Sequence, residues 1–286
     1  MERRQINVDL DKILDVAQRG VRRASVFMGL GVNAALDAKF KEYQLTHITK
    51  LQLVPDAVDS ETIGHFKEEF KTWIEGNGLR ELIETFSVFL DRIYDAALLI
   101  YVSKNKVDMA AFVAKQDSFY REGFPNKLKI LRSKFSVGPE HADYIVSINK
   151  ARNCLTHRRG IVGKEDVDES GKLRVAWFGM EFFAETPSGE RHSLMEIPPE
   201  GLLLPEGGTI CVQFVEREKL FDQGTPLRLS TRDLAEICWF FQSEGNTTRQ
   251  SVVEHAKAYG VAIHVKEKSN EAVQLTPETG TADLER

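Results

Sequence analysis

Residues 79–102, LRELIETFSVFLDRIYDAALLIYV, decide the fold of this chain. Their apolar residues recur at helical spacing and cover a broad stripe, which predicts a long helix in the centre of a helical bundle. Two acids, Asp91 and Asp95, interrupt the stripe and share one helix face. They are either exposed, paired with Arg92, or directed at Arg152 to hold its guanidinium group.

The flanking segments favour further helices. Helical spacing or helix-start signals are found in residues 9–44, 60–75, 107–120, 127–135 and 139–158. Gly29 and Gly31 indicate a break in the first of these segments, and Gly76-Asn77-Gly78 predicts a firm stop. Residues 51–57 are expected to form a loop, and Gly160 is a natural helix end.

After Gly160 the pattern changes. Residues 173–183 and 209–214 favour strands, with turn signals between them. Ser230 or Thr231 can cap a last helix that reaches about Tyr259, with a kink expected at Gly245-Asn246.

We therefore expect a mainly α protein with four sections. These are a helical bundle over residues 1–165, a β-rich antiparallel section over 166–229, a C-terminal helix over 230–262 packed on the bundle, and a disordered polar tail over 263–286.

Composition limits the kinds of protein this chain can be. Its 286 residues are 42% apolar and 28% charged, as in soluble globular proteins. No apolar stretch approaches the roughly 20 residues that span a bilayer, and the N-terminus does not resemble a secretory signal. Three scattered cysteines exclude a disulfide framework. We expect a cytoplasmic protein without a membrane partner.

The net charge of −5 argues against a nucleic-acid partner, but the charge is unevenly distributed. Residues 126–159 contain eight Lys and Arg against two Asp and Glu, a balance of +6, so the rest of the chain carries −11. This segment either binds an RNA backbone or is an ordinary solvated helix face. Tyr120, Phe124 and Phe135 lie nearby and either stack on bases or belong to the core.

Residues 150–160, KARNCLTHRRG, contain the one group of side chains suited to chemistry. On a helix Asn153 and His157 share a face, and Arg152 can reach round toward them. Histidine can move the proton of a ribose 2′-hydroxyl, arginine can stabilise charge on phosphate, and the amide can orient either group. The ordinary alternative is that Arg152 pairs with a bundle acid, Asn153 is solvated and His157 stabilises a helix C-terminus.

R-N-x-x-x-H at a helix end resembles the R-x(4–6)-H signature of the HEPN superfamily (higher eukaryotes and prokaryotes nucleotide-binding). The resemblance covers about ten residues, and the helices of residues 79–159 support it loosely. It implies a helical bundle that dimerises so that two motifs face one cleft. Active members are metal-independent endoribonucleases, often toxins or phage-defence effectors, that leave a 2′,3′-cyclic phosphate and a 5′-hydroxyl; other members bind RNA or nucleotides without cleaving them.

The residues and the resemblance together predict a homodimeric endoribonuclease. Arg152, Asn153 and His157 would be catalytic, and RNA would be bound by Lys150, Arg158, Arg159, Lys127, Lys129 and Arg132. An antitoxin or regulatory protein is a further expected partner. The alternatives are a non-catalytic binding module and an interaction protein in which the motif completes a dimer interface.

No cofactor or metal is expected. The histidines outside the motif lack the spacing of zinc ligands, and Gly29-Leu30-Gly31 lacks the context of a phosphate-binding loop. Cys154 is either a nucleophile beside His157 or a small packing residue.

Overall fold

The computed structural model describes residues 7–41, 59–105, 108–195 and 201–264. Within these ranges the chain is mainly α, as predicted, with one small antiparallel sheet. The elements are α1 (Leu10–Leu36), α2 (Ser60–Lys104), α3 (Met109–Tyr120), α4 (Phe124–Phe135), α5 (Ala142–His157), β1 (Lys172–Glu185), β2 (Arg191–Ser193), β3 (Thr209–Asp222) and α6 (Thr231–Ala258). The loop predicted at residues 51–57 lies outside the described residues, as does the tail beyond residue 264.

Helix α2 is the centre of the bundle, and it is longer than predicted. It runs for 45 residues without interruption, so the stop expected at Gly76-Asn77-Gly78 is wrong. A Cβ on Gly76 would lie 3.2 Å from the Cβ of Leu155 on α5, and one on Gly78 would lie 2.2 Å from Met28 on α1. These glycines allow close helix packing, which outweighs their local helix cost of about 1 kcal/mol each.

Helix α1 is also continuous, so the break expected at Gly29 and Gly31 is wrong. A Cβ on Gly31 would meet Ile74 of α2 at 2.7 Å, which again identifies a close crossing. Around α2 pack α1, α5 and α6, with smaller contacts from α3 and α4. In the middle of this core the Phe86 ring meets Phe241 of α6 edge-on, with 5.4 Å between ring centres.

The last helix begins where the sequence predicts. Ser230 accepts from the backbone N–H of Asp233, and the Asp233 carboxylate accepts from the backbone N–H of Ser230, which together form a capping box. Helix α6 then continues unbroken through Gly245. No helix in the described ranges has a segment both long and apolar enough to cross a bilayer.

The sheet has the order β2-β1-β3, and both long strands extend further than predicted. The first half of β1 is buried between two helices. At the edge of β1 that points away from β3, Ser147 of α5 accepts from the backbone N–H of Ala176 at 3.0 Å. The Trp177 side chain donates to Glu236 of α6 at 3.0 Å. These contacts attach the sheet to the bundle.

The two acids of the central helix serve the packing of α3 and α4. Asp91 pairs with Lys127 of α4 at 2.7 Å, although burial still raises the pKa of this carboxyl. Asp95 accepts from Gln116 and Tyr120 of α3, both at 2.7 Å. Among the described contacts neither acid meets Arg152, so the interpretation that they hold its guanidinium group is wrong.

Candidate functional site

The motif occupies the last turn and a half of α5, at the helix end that the sequence predicts. Arg158 and Gly160 both donate backbone hydrogen bonds to the Cys154 carbonyl, which closes the helix. Arg159 follows with φ 53° and Gly160 with φ 77°. A left-handed conformation is uncommon and costly at a residue such as Arg159, so the chain accepts local strain in order to turn here.

Arg152 lies on the side of α5 that faces α2. It is half-buried, and its Nη2 donates to Asn149 one turn earlier at 2.9 Å. Its Nε is buried and has no hydrogen-bond partner in the described structure. Burial lowers the pKa of this guanidinium, which the charge of Glu84 partly counters. Within the described residues Arg152 has no acid within ion-pair distance, so the predicted alternative of a salt bridge to a bundle acid is not formed.

His157 is exposed and lines a cavity of about 880 Å³. The walls come from residues 66–80 of α2, residues 155–157 and 159–161, and the loop at Pro226–Arg228. Arg159 shares this cavity with His157, whereas Arg152 and Asn153 are not among the described residues that line it. One copy of the chain therefore does not bring Arg152 and His157 to the same cavity.

The cavity contains charges of both signs. Lys71 lies 3.2 Å from Glu75, and Arg228 lies 3.0 Å from Glu68. In the described ranges, His157 and Arg159 form no ion pair, so their donors face the cavity without an acid partner. Glu75 is only 2% exposed, and burial raises the pKa of its carboxyl despite the nearby ammonium group.

Arg158 does not face this cavity as a free cation. It forms a two-point ion pair with Asp166, with Nε to Oδ2 at 2.7 Å, and a second pair with Glu165 at 3.2 Å. Asp166 is 2% exposed and also accepts from the backbone N–H of Gly163 at 2.8 Å. Burial opposes the Arg158 charge, but the hydrogen bonds and charge of Asp166 outweigh it and raise the pKa of the guanidinium.

The other cations predicted to bind RNA are dispersed. Lys127 is 4% exposed and held by Asp91 and Ser87, so it is not available to a polyanion at the surface. Asp91 lies about 16 Å along the α2 axis from Arg80 at the cavity. Lys129 and Arg132 are exposed on the same helix as Lys127, whereas the motif is on α5. Lys150 is exposed on α5. Hydrogen bonds from Ser170 lower the pKa of Asp168, and the charge of Lys150 adds to this effect.

Other candidates from the sequence belong to the core. Cys154 is fully buried, which raises the pKa of its thiol to about 11. Phe124 and Phe135 are buried, and Tyr120 is 39% exposed with its hydroxyl on Asp95. The described residues contain no group of three His, Cys, Asp or Glu side chains that could hold a metal ion.

An exposed apolar surface adjoins the cavity. Trp73 of α2 is 62% exposed and Phe27 of α1 is 53% exposed. Both line a smaller cavity of about 440 Å³ between these helices, which shares Trp73, Asn77 and Arg80 with the larger one. Leu30 of α1 is 67% exposed. We call Phe27, Leu30 and Trp73 the α1–α2 apolar surface; large exposed patches of this kind often mark interfaces.

Sequence reasoning missed Asn149 and Asp166, which position the two arginines, and Glu75 and Arg80 across the cavity. Helical spacing from Arg152 could have identified Asn149.

Comparison of the chain with family models, with curated proteins and with solved structures finds no match.

Proposed function

We propose that this chain is a metal-independent endoribonuclease of the HEPN type that acts as a homodimer. The observation that carries the proposal is the end of α5. There His157 and Arg159 face a cavity without acid partners, one turn beyond an arginine whose buried Nε has no partner. RNA cleavage by this route needs a group that moves a proton and cations that stabilise phosphate charge.

The reaction is attack of the ribose 2′-oxygen on the adjacent phosphorus, with departure of the 5′-oxygen. His157 takes the 2′-hydroxyl proton as general base and, as general acid, returns a proton to the leaving 5′-oxygen. Arg152 stabilises the charge on the phosphate, Asn153 orients the reacting groups, and Arg159 and Lys150 bind the RNA backbone. The products are a 2′,3′-cyclic phosphate and a 5′-hydroxyl.

A second copy completes the site in this proposal. Arg152 and His157 are five positions apart on α5, about 140° around the helix axis, and only His157 of the two lines the cavity. In this proposal each works with the motif of the other copy. The α1–α2 apolar surface adjoins the cavity and supplies a face for such a dimer. We further propose that the enzyme is a cytoplasmic toxin or defence effector held in check by an antitoxin or regulatory protein.

The test is cleavage of mixed RNA substrates by the purified full chain in EDTA, with His157→Ala and Arg152→Ala. Loss of a general acid–base group typically costs about 10²–10⁴ in rate. His192→Ala, in the β-section, is the matched control and should leave the rate unchanged. Products should carry 5′-hydroxyl ends that a polynucleotide kinase labels directly. A wild-type chain that cleaves none of the RNAs, or cleavage that survives His157→Ala, would overturn the nuclease.

The second candidate is a module that binds RNA or nucleotides without cleaving. It is favoured by one observation: Arg152 is half-buried on Asn149 and does not line the cavity of His157. Fluorescence anisotropy with labelled RNA separates the two functions. A binding module holds RNA in a manner that depends on Arg159 and Lys150, with no turnover by the wild type.

A further inference from the structure

The sheet has one edge that no described strand covers. β1 lies in the middle, between β2 and β3, and β3 pairs with β1 along its whole length from Thr209 to Asp222. Within the described ranges the other side of β3 has no strand beside it. Unpaired edges of this kind are templates for pairing with another strand.

The hydrogen bonds of β1 show which backbone groups of β3 point to this edge. The Leu194 N–H donates to the Phe182 carbonyl at 2.8 Å, so Phe182 directs its backbone toward the β2 side. Alternate residues of a strand point their backbone groups in opposite directions. The backbone groups of Glu181 therefore point to β3. Those of Gln213, which lies opposite Glu181, point to β1.

By the same alternation Ile210, Val212 and Phe214 direct both backbone groups to the open edge. Their side chains lie together on one sheet face, and they are 72%, 48% and 59% exposed. The start of β3 thus presents unpaired backbone groups and apolar side chains at one place. We call residues 209–215 the open edge segment.

The two halves of β3 differ sharply. In the second half Glu216 accepts from Tyr144 of α5 and Lys219 pairs with Asp233 of α6, which fastens the strand to the bundle. Glu218 pairs with Arg174 of the neighbouring β1. The open edge segment, TICVQFV, has no charge and no proline. Natural edge strands are usually protected by a charged residue or a proline, and this one has neither.

We propose that the open edge segment pairs antiparallel with the same segment of a second copy of this chain, so that two sheets join into one. In the register that we assign, Val212 lies opposite itself and Ile210 lies opposite Phe214. About six backbone hydrogen bonds then form across the two-fold axis, and each exposed apolar side chain gains a cross-strand neighbour.

Charge favours this register and this partner. With Val212 on the axis, Glu216 lies opposite Gly208, and the paired segments contain no charged residue. A register centred on Arg217 would place Glu216 opposite Glu218, and like charges directly opposite are destabilising. An uncharged apolar strand of the same length suits the open edge segment, and the chain itself supplies one.

This interface is separate from the α1–α2 apolar surface and from the cavity of His157. Two different two-fold interfaces on one chain build a tetramer or a larger assembly. Loss of the β3 pairing should therefore reduce the mass at least twofold and leave the helical interface and RNA cleavage untouched, so the two proposals fail independently.

Cross-linking tests the register directly. In a Cys211→Ser background, Val212→Cys should form a disulfide-linked dimer on mild oxidation, because Cα atoms of a hydrogen-bonded pair lie about 5.5 Å apart. Cys154 and Cys238 are buried and do not interfere. The control Glu218→Cys lies on the same sheet face, about 40 Å from its counterpart in this register. Equal cross-linking of both variants, or none with Val212→Cys, would overturn the proposal.

A second variant tests the pairing without cysteine chemistry. Val212→Pro removes an N–H that points to the open edge, so the β1–β3 hydrogen bonds remain, and it blocks the incoming strand. Mass measured by light scattering should fall at least twofold, whereas Val212→Thr, which keeps the N–H, should leave it unchanged. A monomeric wild type, or an unchanged mass in a folded Val212→Pro, contradicts the proposal. If that variant does not fold, the cross-linking result decides.

Discussion

Two arginines six positions apart, Arg152 and Arg158, have opposite surroundings. Arg158 has both sides of its guanidinium fork on Asp166 and a further contact to Glu165. Arg152 donates one hydrogen bond to a neutral amide and keeps a buried Nε without a partner. A paired guanidinium holds the turn after α5 in place, whereas one without an acid retains donors for a phosphate.

Both side chains are arginines, so residue type does not show which cation is structural and which is available to a ligand at this site. The presence or absence of a neighbouring acid does. Asp166 and Glu165 occupy one side of the α5 end, and the side that carries His157 and Arg159 has no acid in contact with them among the described residues. Four variants test how far this difference extends.

The largest effect on stability is expected from Asp166→Ala. It leaves the Arg158 charge partly buried without its main partner and removes the acceptor for the Gly163 N–H. Breaking a fully buried pair costs about 3–5 kcal/mol, and since Arg158 retains some exposure we expect about 2–4 kcal/mol in the free energy of unfolding. Urea denaturation measures it.

Glu165→Ala is the matched control, because it removes the other acid of the same arginine. Its side chain is 62% exposed, so the expected change is within about 0.5 kcal/mol. Similar losses in the two variants would show that Asp166 does not hold the turn through its buried contacts.

Replacement of each arginine by lysine separates the two environments. Arg158→Lys keeps the charge but loses the fork, so the unfolding free energy should fall by about 1–2 kcal/mol. Arg152→Lys should change stability less and, under the proposed function, reduce RNA cleavage about 10–100-fold. Denaturation and single-turnover cleavage are measured on both. A cleavage defect confined to Arg158→Lys would reverse the assignment.

The presence and order of the helices could be predicted from the sequence, because the apolar residues of α2 and of the helices packed on it recur at regular helical spacing. Gly76 and Gly78 misled the prediction, since a local preference indicates a stop while the packing of Leu155 and Met28 against them lies in distant sequence. The second half of β3 was missed for a related reason. Its alternating charges carry no apolar pattern, and they are placed by contacts with other elements.

The candidate site could be predicted in its location but not in its arrangement. Helical spacing correctly placed Asn153 and His157 at a helix end. Helical spacing could not indicate that Arg158 is held by Asp166, because the helix ends between these two residues. Arg159 and Gly160 have positive φ angles there and turn the chain. The charge of residues 126–159 was also misleading, since Lys127 lies in the core on Asp91 and Arg158 is paired with Asp166.

Two buried acids near the motif differ in how well their partners offset burial. Asp166 accepts hydrogen bonds from Arg158 and from the Gly163 N–H, whereas the Lys71 ammonium 3.2 Å from Glu75 does not offset burial, which raises the pKa of Glu75 above its ordinary value of 4.5. The folded state then holds an extra proton, so the unfolding free energy falls as pH rises from 4.5 through the folded pKa.

Glu75→Gln should remove this dependence of the unfolding free energy on pH and should raise the unfolding free energy at pH 7. Most point variants instead lower it, by about 0.5–3 kcal/mol. Urea unfolding from pH 4 to 8 measures the slope. Glu84→Gln, on an exposed residue of the same helix, should leave it unchanged. A Glu75→Gln variant that is less stable at neutral pH would mean that the pair with Lys71 outweighs the cost of burial.

The smallest effect is expected at Cys154, which lies between the two arginines. Burial, and after it the charge of Asp166, raises the pKa of this thiol to about 11, so it remains protonated and unreactive at pH 8. Iodoacetamide should therefore modify Cys211, which is partly exposed, well before Cys154 or Cys238, as mass spectrometry can show. Cys154→Ala should leave RNA cleavage unchanged. Rapid modification of Cys154 in the folded protein would instead mean that the end of α5 opens, and that the Arg158–Asp166 pair does not close this side of the site.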